Sequence, residues 1–238
     1  MHASSSGNQP KDSPPLNQAV RERMIQVVVQ FLVIVAILLV TSGHVEWVWL
    51  WAYICVGICI LAVNALVLPR ELIAERGQPK EGTKRWDRIL TTLTIFPTLG
   101  TLIVAGLDER FDWSPELSVA IHIFALVLMT LGQGLFSWAM ASNKFFSTAV
   151  RIQMDRDHTV ATGGPYRYVR HPGYSGYILS ILATPLIFGS LWGLIPAGLT
   201  ACLFIVRTVL EDRTLQEELT GYRDYTTRVR YCLVPGLW

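Results

Sequence analysis

Charge is what this chain has least of. Of its 238 residues only 16% are Asp, Glu, Lys or Arg, while 51% are hydrophobic. Soluble domains carry about 25% charged residues, so the deficit argues against a water-soluble surface and for a bilayer. Cysteine is sparse as well. Cys55 and Cys59 lie one helical turn apart in an apolar run, and Cys202 and Cys232 are isolated. These four read as free thiols and not as a disulfide framework. No C-x-x-C, H-E-x-x-H or G-x-x-x-x-G-K-S/T pattern occurs, so no metal site and no phosphate loop is expected. No basic tract resembles a nucleic-acid patch, and no period of 20–50 residues repeats.

Long apolar runs are present instead. A helix needs about 20 residues at 1.5 Å each to cross the hydrocarbon layer. Candidate spans cover 24–41, 48–68, 89–107 and 117–140. A shorter pair, 175–188 and 191–209, is split by Gly189-Ser-Leu-Trp-Gly193 and interrupted by Pro185 and Pro196, and reads as a helical hairpin. Pro97 predicts a kink in the third span. The first run has no small-residue cleavage signature and is followed by further spans, so it reads as a retained helix. Residues 1–20, rich in turn formers, read as a disordered cytoplasmic tail ahead of a single membrane domain over 21–238. Trp47, Trp49 and Trp51 read as an aromatic belt. His122, Gln133 and Asn64 read as partners in interhelical hydrogen bonds.

Lys and Arg give the orientation. With the N-terminus in the cytoplasm, nineteen of the twenty fall on the cytoplasmic side, and only Arg110 lies opposite. Both termini, the 69–88 loop and the 141–173 segment are therefore expected there. The segment from Glu211 to Arg230 is too charged to cross. It reads as a cytoplasmic amphipathic helix packing Leu215, Leu219, Tyr222 and Tyr225 on the bundle.

The chemistry is concentrated in two polar blocks. The first runs from His158 to Tyr174 and holds two His, two Arg, three Tyr and the turn Gly163-Gly164-Pro165. The turn offers backbone N–H groups to a ligand. Tyr166 and Tyr168 offer flat faces for a purine or a sulfonium. His171-Pro172 opens a helix whose first N–H groups favour an anion. The second block begins with Arg207-x-x-x-Glu211, two side chains on one helix face. An ionisable residue at the end of an apolar run is a site candidate. Read from the residues alone, Arg207 would hold a substrate carboxylate with its two-pronged geometry, and Glu211 would accept from a cofactor ammonium.

Gly164-Pro-Tyr-Arg-Tyr-Val-Arg-His-Pro-x-Tyr174, then a hairpin, Arg207-x-x-x-Glu211 and Glu217-Glu-Leu-x-Gly-Tyr-x-x-Tyr225, resembles the isoprenylcysteine carboxyl methyltransferase family. These are integral membrane enzymes that use S-adenosylmethionine and are related to phospholipid N-methyltransferases. The resemblance covers about 143–238, which would be the catalytic half. It implies that His158, Thr159, Val160, Ala161 and Tyr166 line the adenosyl pocket. It further implies that His171, Pro172, Gly173 and Tyr174 contact the cofactor, that Glu211 binds it, and that Arg207 faces the substrate carboxylate. Two positions depart from the pattern. Arg151 stands where the eukaryotic enzymes carry Gln, which makes it a candidate for a changed cofactor contact, and Asp212 stands where many relatives repeat Glu.

The expected protein is an all-α integral membrane bundle of five to six transmembrane helices, with a C-terminal hairpin and a cytoplasmic amphipathic helix. Its expected activity is methyl transfer from S-adenosyl-L-methionine to a lipidic or membrane-embedded acceptor, a carboxylate as in prenylcysteine methylation. Its expected partners are a lipophilic or lipidated substrate and membrane lipids, with no nucleic acid and no metal. Three alternatives stay open: a phospholipid or lipid amine N-methyltransferase, an NADPH-dependent membrane reductase, and a non-enzymatic membrane scaffold.

Overall fold

A computed structural model describes residues 15–77 and 82–238. Most of the expected tail, together with Lys11 and Lys80, lies outside the described residues. The long apolar runs, poor in mid-run breakers, fold as helices: α1 (Leu16–Ser42), α2 (Val48–Val67), α3 (Arg70–Gly77), α4 (Arg85–Phe111), α5 (Val119–Ala141), α6 (Pro172–Ile187), α7 (Leu194–Glu218) and α8 (Tyr222–Arg228). The long α5–α6 connection carries two 3-10 turns, Met154–Arg156 and Gly164–Arg167. Among the described residues no strand forms.

Five helices (α1, α2, α4, α5 and α7) are long and apolar enough to cross a membrane. In α1 and α2 only 6% of the most apolar window is buried inside the protein, and Val28, Leu32, Ile58 and Val63 face outward. So large an exposed apolar surface needs lipid against it. The chain is a multi-pass integral membrane bundle, as its composition implied. Two boundaries differ from the sequence reading. α1 begins at Leu16, where the carbonyl of Pro15 accepts the first helical N–H bonds, so residues 16–20 are helical and not part of a tail. α7 continues without a break through Arg207 and Glu211 to Glu218. Only Tyr222–Arg228 forms a separate surface helix.

α6, sixteen residues long, spans about 24 Å at 1.5 Å per residue, short of the roughly 30 Å hydrocarbon layer. It packs most extensively on α5 and also contacts α7. Gly132 and Gly176 make that approach possible: a Cβ on Gly132 would stand 2.6 Å from the Gly176 carbonyl oxygen. Small residues let membrane helices close in this way, and the contact sets how deep the start of α6 lies. α4 runs through Pro97 as one 27-residue helix.

Two cores result. Leu38, Trp47, Leu50, Leu102, Ala125, Met129 and Ile187 pack inside the bundle. Trp47 is therefore buried, Trp49 stacks on His122 at 4.3 Å, and only Trp51 faces outward. This replaces the expected belt of three. His122 bonds the Ile187 carbonyl at 2.9 Å, the interhelical role expected of it. The second core joins Leu219, Tyr222, Tyr225 and Val229 to Ile152 and Val160. The stripe expected to pack on the bundle does pack inward, against the long α5–α6 connection. At the C-terminal end of α4, buried Asp108 accepts from the backbone and side chain of Ser114 at 2.7 Å and from Ser190 at 2.5 Å, tying the α4–α5 loop to the α6–α7 turn.

Candidate active site

The α5–α6 connection turns inward at Gly164, whose φ of +55° lies in the left-handed region. A Cβ there would also meet the side chain of Ser142, so glycine is required on both counts. The following 3-10 turn buries Tyr166. The Tyr166 carbonyl accepts the Tyr225 hydroxyl at 2.6 Å, and its own hydroxyl accepts from Asn143 at 3.3 Å. Tyr168 points the other way and is 63% exposed, so it is no platform for a ligand here. His158 accepts the Gln153 N–H on Nδ1 at 3.3 Å and lies 4.5 Å from the Phe145 ring. Burial, then the charges of Arg151 and Arg156, push its pKa down to about 4. The imidazole is neutral near pH 7.

Glu211 on α7 faces Tyr174 on α6, whose hydroxyl donates to Oε2. Among the described residues Glu211 makes no direct ion pair, although the charge of Arg207 reaches it along the helix face. Its neighbour Asp212 has four donors. Arg170 binds it with two prongs at 2.8 and 3.0 Å, and Gln216, Tyr222 and His171 bond it at 2.7, 2.9 and 3.1 Å. Arg170 also donates to the carbonyls of Val229 and Arg230. The backbone N–H groups of Arg170 and His171 bond to Tyr231 and Cys232. Asp212 therefore fastens the polar loop, α7, α8 and the C-terminal segment together. Adjacent acids on one helix do different work because each faces a different neighbour.

Arg207 shares the face of α7 with Glu211, as expected, but pairs with an acid of the chain itself. Its Nε and Nη2 donate to Asp87 at 2.7 and 3.3 Å, and Nη2 also to the Thr148 carbonyl at 3.0 Å. Asp87 is fully buried in the first turn of α4 and accepts the Val150 N–H at 2.8 Å as well. The fork expected to hold a substrate carboxylate is occupied by one of the chain's own. A second tie, Lys84 Nζ to Glu218 at 2.7 Å, joins the start of α4 to the end of α7.

One cavity collects most of the remaining candidates. His158, Thr159, Val160, Ala161, Tyr166, His171, Gly173, Tyr174 and Glu211 line it, with Arg151 and with Asn143, Phe145, Phe146 and Gln153. Pro172 and Arg207 do not. Pro172 is buried as the first residue of α6, where its ring fits the opening turn. Residues 120–220 match the family described as phospholipid methyltransferase. The protein-S-isoprenylcysteine O-methyltransferase of Schizosaccharomyces pombe is 31% identical over 108 residues, 44% of this chain and 46% of the relative. The enzyme of that name from Dictyostelium discoideum is 29% identical over 142 residues, 57% and 60% of the two chains. A probable one from Oryza sativa subsp. indica is 24% identical over 112 residues, 46% and 59%. The similarity supports the isoprenylcysteine carboxyl methyltransferase family.

The chain matches about half of the length of these curated relatives. Within the family resemblance, the position of Arg151 has a local explanation. Its guanidinium pairs with Glu75 at 3.2 Å and Asp155 at 3.1 Å, so its charge is balanced by the protein, although its Nε is buried without a partner. Three contributors went unread in the sequence. Asp87 was counted only as part of a basic loop, and its signal is an acid one turn before an apolar run. Asn143 and Gln153 sit in a stretch with no periodic pattern. No signal short of the fold brings them to Tyr166 and His158.

Proposed function

We propose that this chain transfers a methyl group from S-adenosylmethionine to the carboxylate of a lipophilic acceptor, the prenylcysteine class named in its relatives. One observation carries the reading: Glu211, a carboxylate bonded by a phenol and by no cation in direct ion-pair contact among the described residues, faces a cavity walled by Tyr166, His171, Tyr174 and the 158–161 segment. That donor set fits the cofactor. Glu211 would take the ammonium, Tyr166 and the apolar 158–161 wall the adenosyl part, and neutral His158 adds no charge against a sulfonium. The cofactor, when bound, supplies an electrophilic methyl. Tyr174 orients Glu211, the Asp212 network holds the loop against α7, and the buried rings of Phe145 and Tyr166 exclude water. A carboxylate acceptor is ionised at neutral pH and needs no general base, so the chain contributes alignment, worth roughly 7–11 kcal/mol for well-oriented groups. The relatives' O-methyltransferase name favours an oxygen acceptor over a lipid amine or a reductase reaction.

In this reading residues 143–238 are the catalytic half and Arg207 positions the loop through Asp87. With nineteen of the twenty Lys and Arg on one side of the bundle, the site opens to the cytoplasm in this reading. Cysteines introduced at Asp112 and Thr227 test that sidedness: only the one at 112 should react with an impermeant reagent added outside intact cells, and external labelling at 227 would overturn it. For the cofactor, Glu211→Gln should weaken S-adenosylmethionine binding by about 1.5–3 kcal/mol, the worth of a hydrogen bond to a charged group. Calorimetry on the purified full chain reads this, and unchanged affinity in a folded variant would misplace the site.

A further inference from the structure

A second cavity, of about 340 Å³, lies among α1, α2, α3, α5 and α6. Two arginines, Arg23 and Arg76, reach it, and among the described residues no Asp or Glu lines it. Arg76 Nη1 is buried with no hydrogen-bond partner. The Arg76 guanidinium instead lies over the rings of Phe136 and Phe146 at 5.8 and 5.2 Å. Among the described residues Arg23 hydrogen-bonds only to Gln26, at a long 3.4 Å on its own helix. Burial, and after it the charge of Arg23, push the Arg76 guanidinium down to about 10. A half-buried cation pair of this kind is unfavourable until an anion completes it. The rest of the wall is largely apolar, with Val27, Leu61, Leu68 and Met140, and two of its helices, α1 and α2, are the most exposed apolar elements of the bundle.

An amphiphile with one anionic group and a hydrocarbon chain satisfies both halves of this cavity. Phe146 relates it to the candidate active site, because Phe146 lines the cofactor cavity and its ring also meets Arg76 and, at 5.3 Å, Phe136. Arg207, the other arginine near Tyr174, already spends its fork on Asp87. Gln133 and Asn64, expected to bond between helices, line this cavity instead and offer amide groups to a polar linkage.

We propose that Arg76, supported by Arg23, binds the carboxylate of the methyl acceptor, whose hydrocarbon chain enters between α1 and α2 from the lipid. The proposal rests on the methyl-transfer reading and refines it by moving the anion site from Arg207 to Arg76. The test measures binding of an S-farnesylated N-acetylcysteine and of its neutral carboxamide to the full chain in detergent, with S-adenosylmethionine affinity read separately. Wild type should prefer the acid at least tenfold. Arg76→Gln should lose that preference while cofactor affinity stays within twofold. Arg76→Lys, which keeps the charge, should retain part of it and serves as the folding control, and Arg23→Gln should show an intermediate loss. A folded Arg76→Gln that still prefers the acid overturns the proposal. So does an Arg76-dependent retention of short-chain phosphatidic acid without discrimination between acid and amide, which would assign the cation to a lipid headgroup. Failure of wild type to bind S-adenosylmethionine would instead sink the methyl-transfer reading, whatever Arg76 discriminates.

Discussion

Asp87→Ala separates a positioning role for Arg207 from a substrate-binding one. Asp87 is fully buried and Arg207 only 7% exposed, so removing the acid leaves a buried guanidinium with the Thr148 carbonyl as its remaining hydrogen-bond acceptor, beside the rings of Tyr174 and Phe204. Breaking a buried pair by deleting one member costs about 3–5 kcal/mol. The Val150 N–H loses its acceptor in the same step. At roughly 2–4 °C per kcal/mol for a chain of this size, the apparent Tm should fall by about 6–20 °C. Thermal inactivation in detergent at one fixed scan rate reads the shift, since unfolding of such a protein need not be reversible. Asp87→Ala combined with Arg207→Met removes both charges, and apolar replacement of a buried pair is often neutral. The double variant should therefore recover more than half of the lost Tm. A single variant within about 2 °C of wild type, or a double variant no better than the single, would refute the pairing as the main role of Arg207.

Asp212→Asn should loosen the C-terminal segment. It leaves half-buried Arg170 facing a neutral amide, an expected loss of about 1–3 kcal/mol, visible as faster proteolysis after Arg228 and unseen if the segment is held by its backbone bonds alone. The His158 pKa, lowered from the usual 6.5 to about 4, gives stability a defined pH dependence. Between those values the unfolded chain binds the proton and the folded chain does not, so stability falls as pH drops through the window. His158→Asn should flatten that limb of a Tm-against-pH curve, and an unaltered slope would assign the acid sensitivity to another group.

Much of the fold and part of the site were legible from residue order. Periods, apolar lengths and the scarcity of charge are local properties, so the four long spans, the broken pair at 175–209 and the absence of strands followed from them. The loop candidates from His158 to Tyr174 and Glu211 were legible as well, because a membrane bundle has no folding use for so many polar side chains at two places in the chain. Partner choice was not. Arg207 and Glu211 share a helix face, which suggested a common ligand, yet the nearest partner of Arg207 is Asp87, 120 positions away. Asp212 is adjacent to Glu211 and also a carboxylate, and only packing gives it Arg170, His171 and Tyr222 while leaving Glu211 to Tyr174. The Leu215–Tyr225 stripe was legible as a face packed on the bundle, but only the fold shows that the loop from Ile152 to Val160 is what covers it. Short-range patterning determined which segments are helices and which carry chemistry. The tertiary structure decided which charges neutralise each other and which stay available, because a buried charge is satisfied by whatever packing brings within about 3 Å, and sequence distance does not limit that choice.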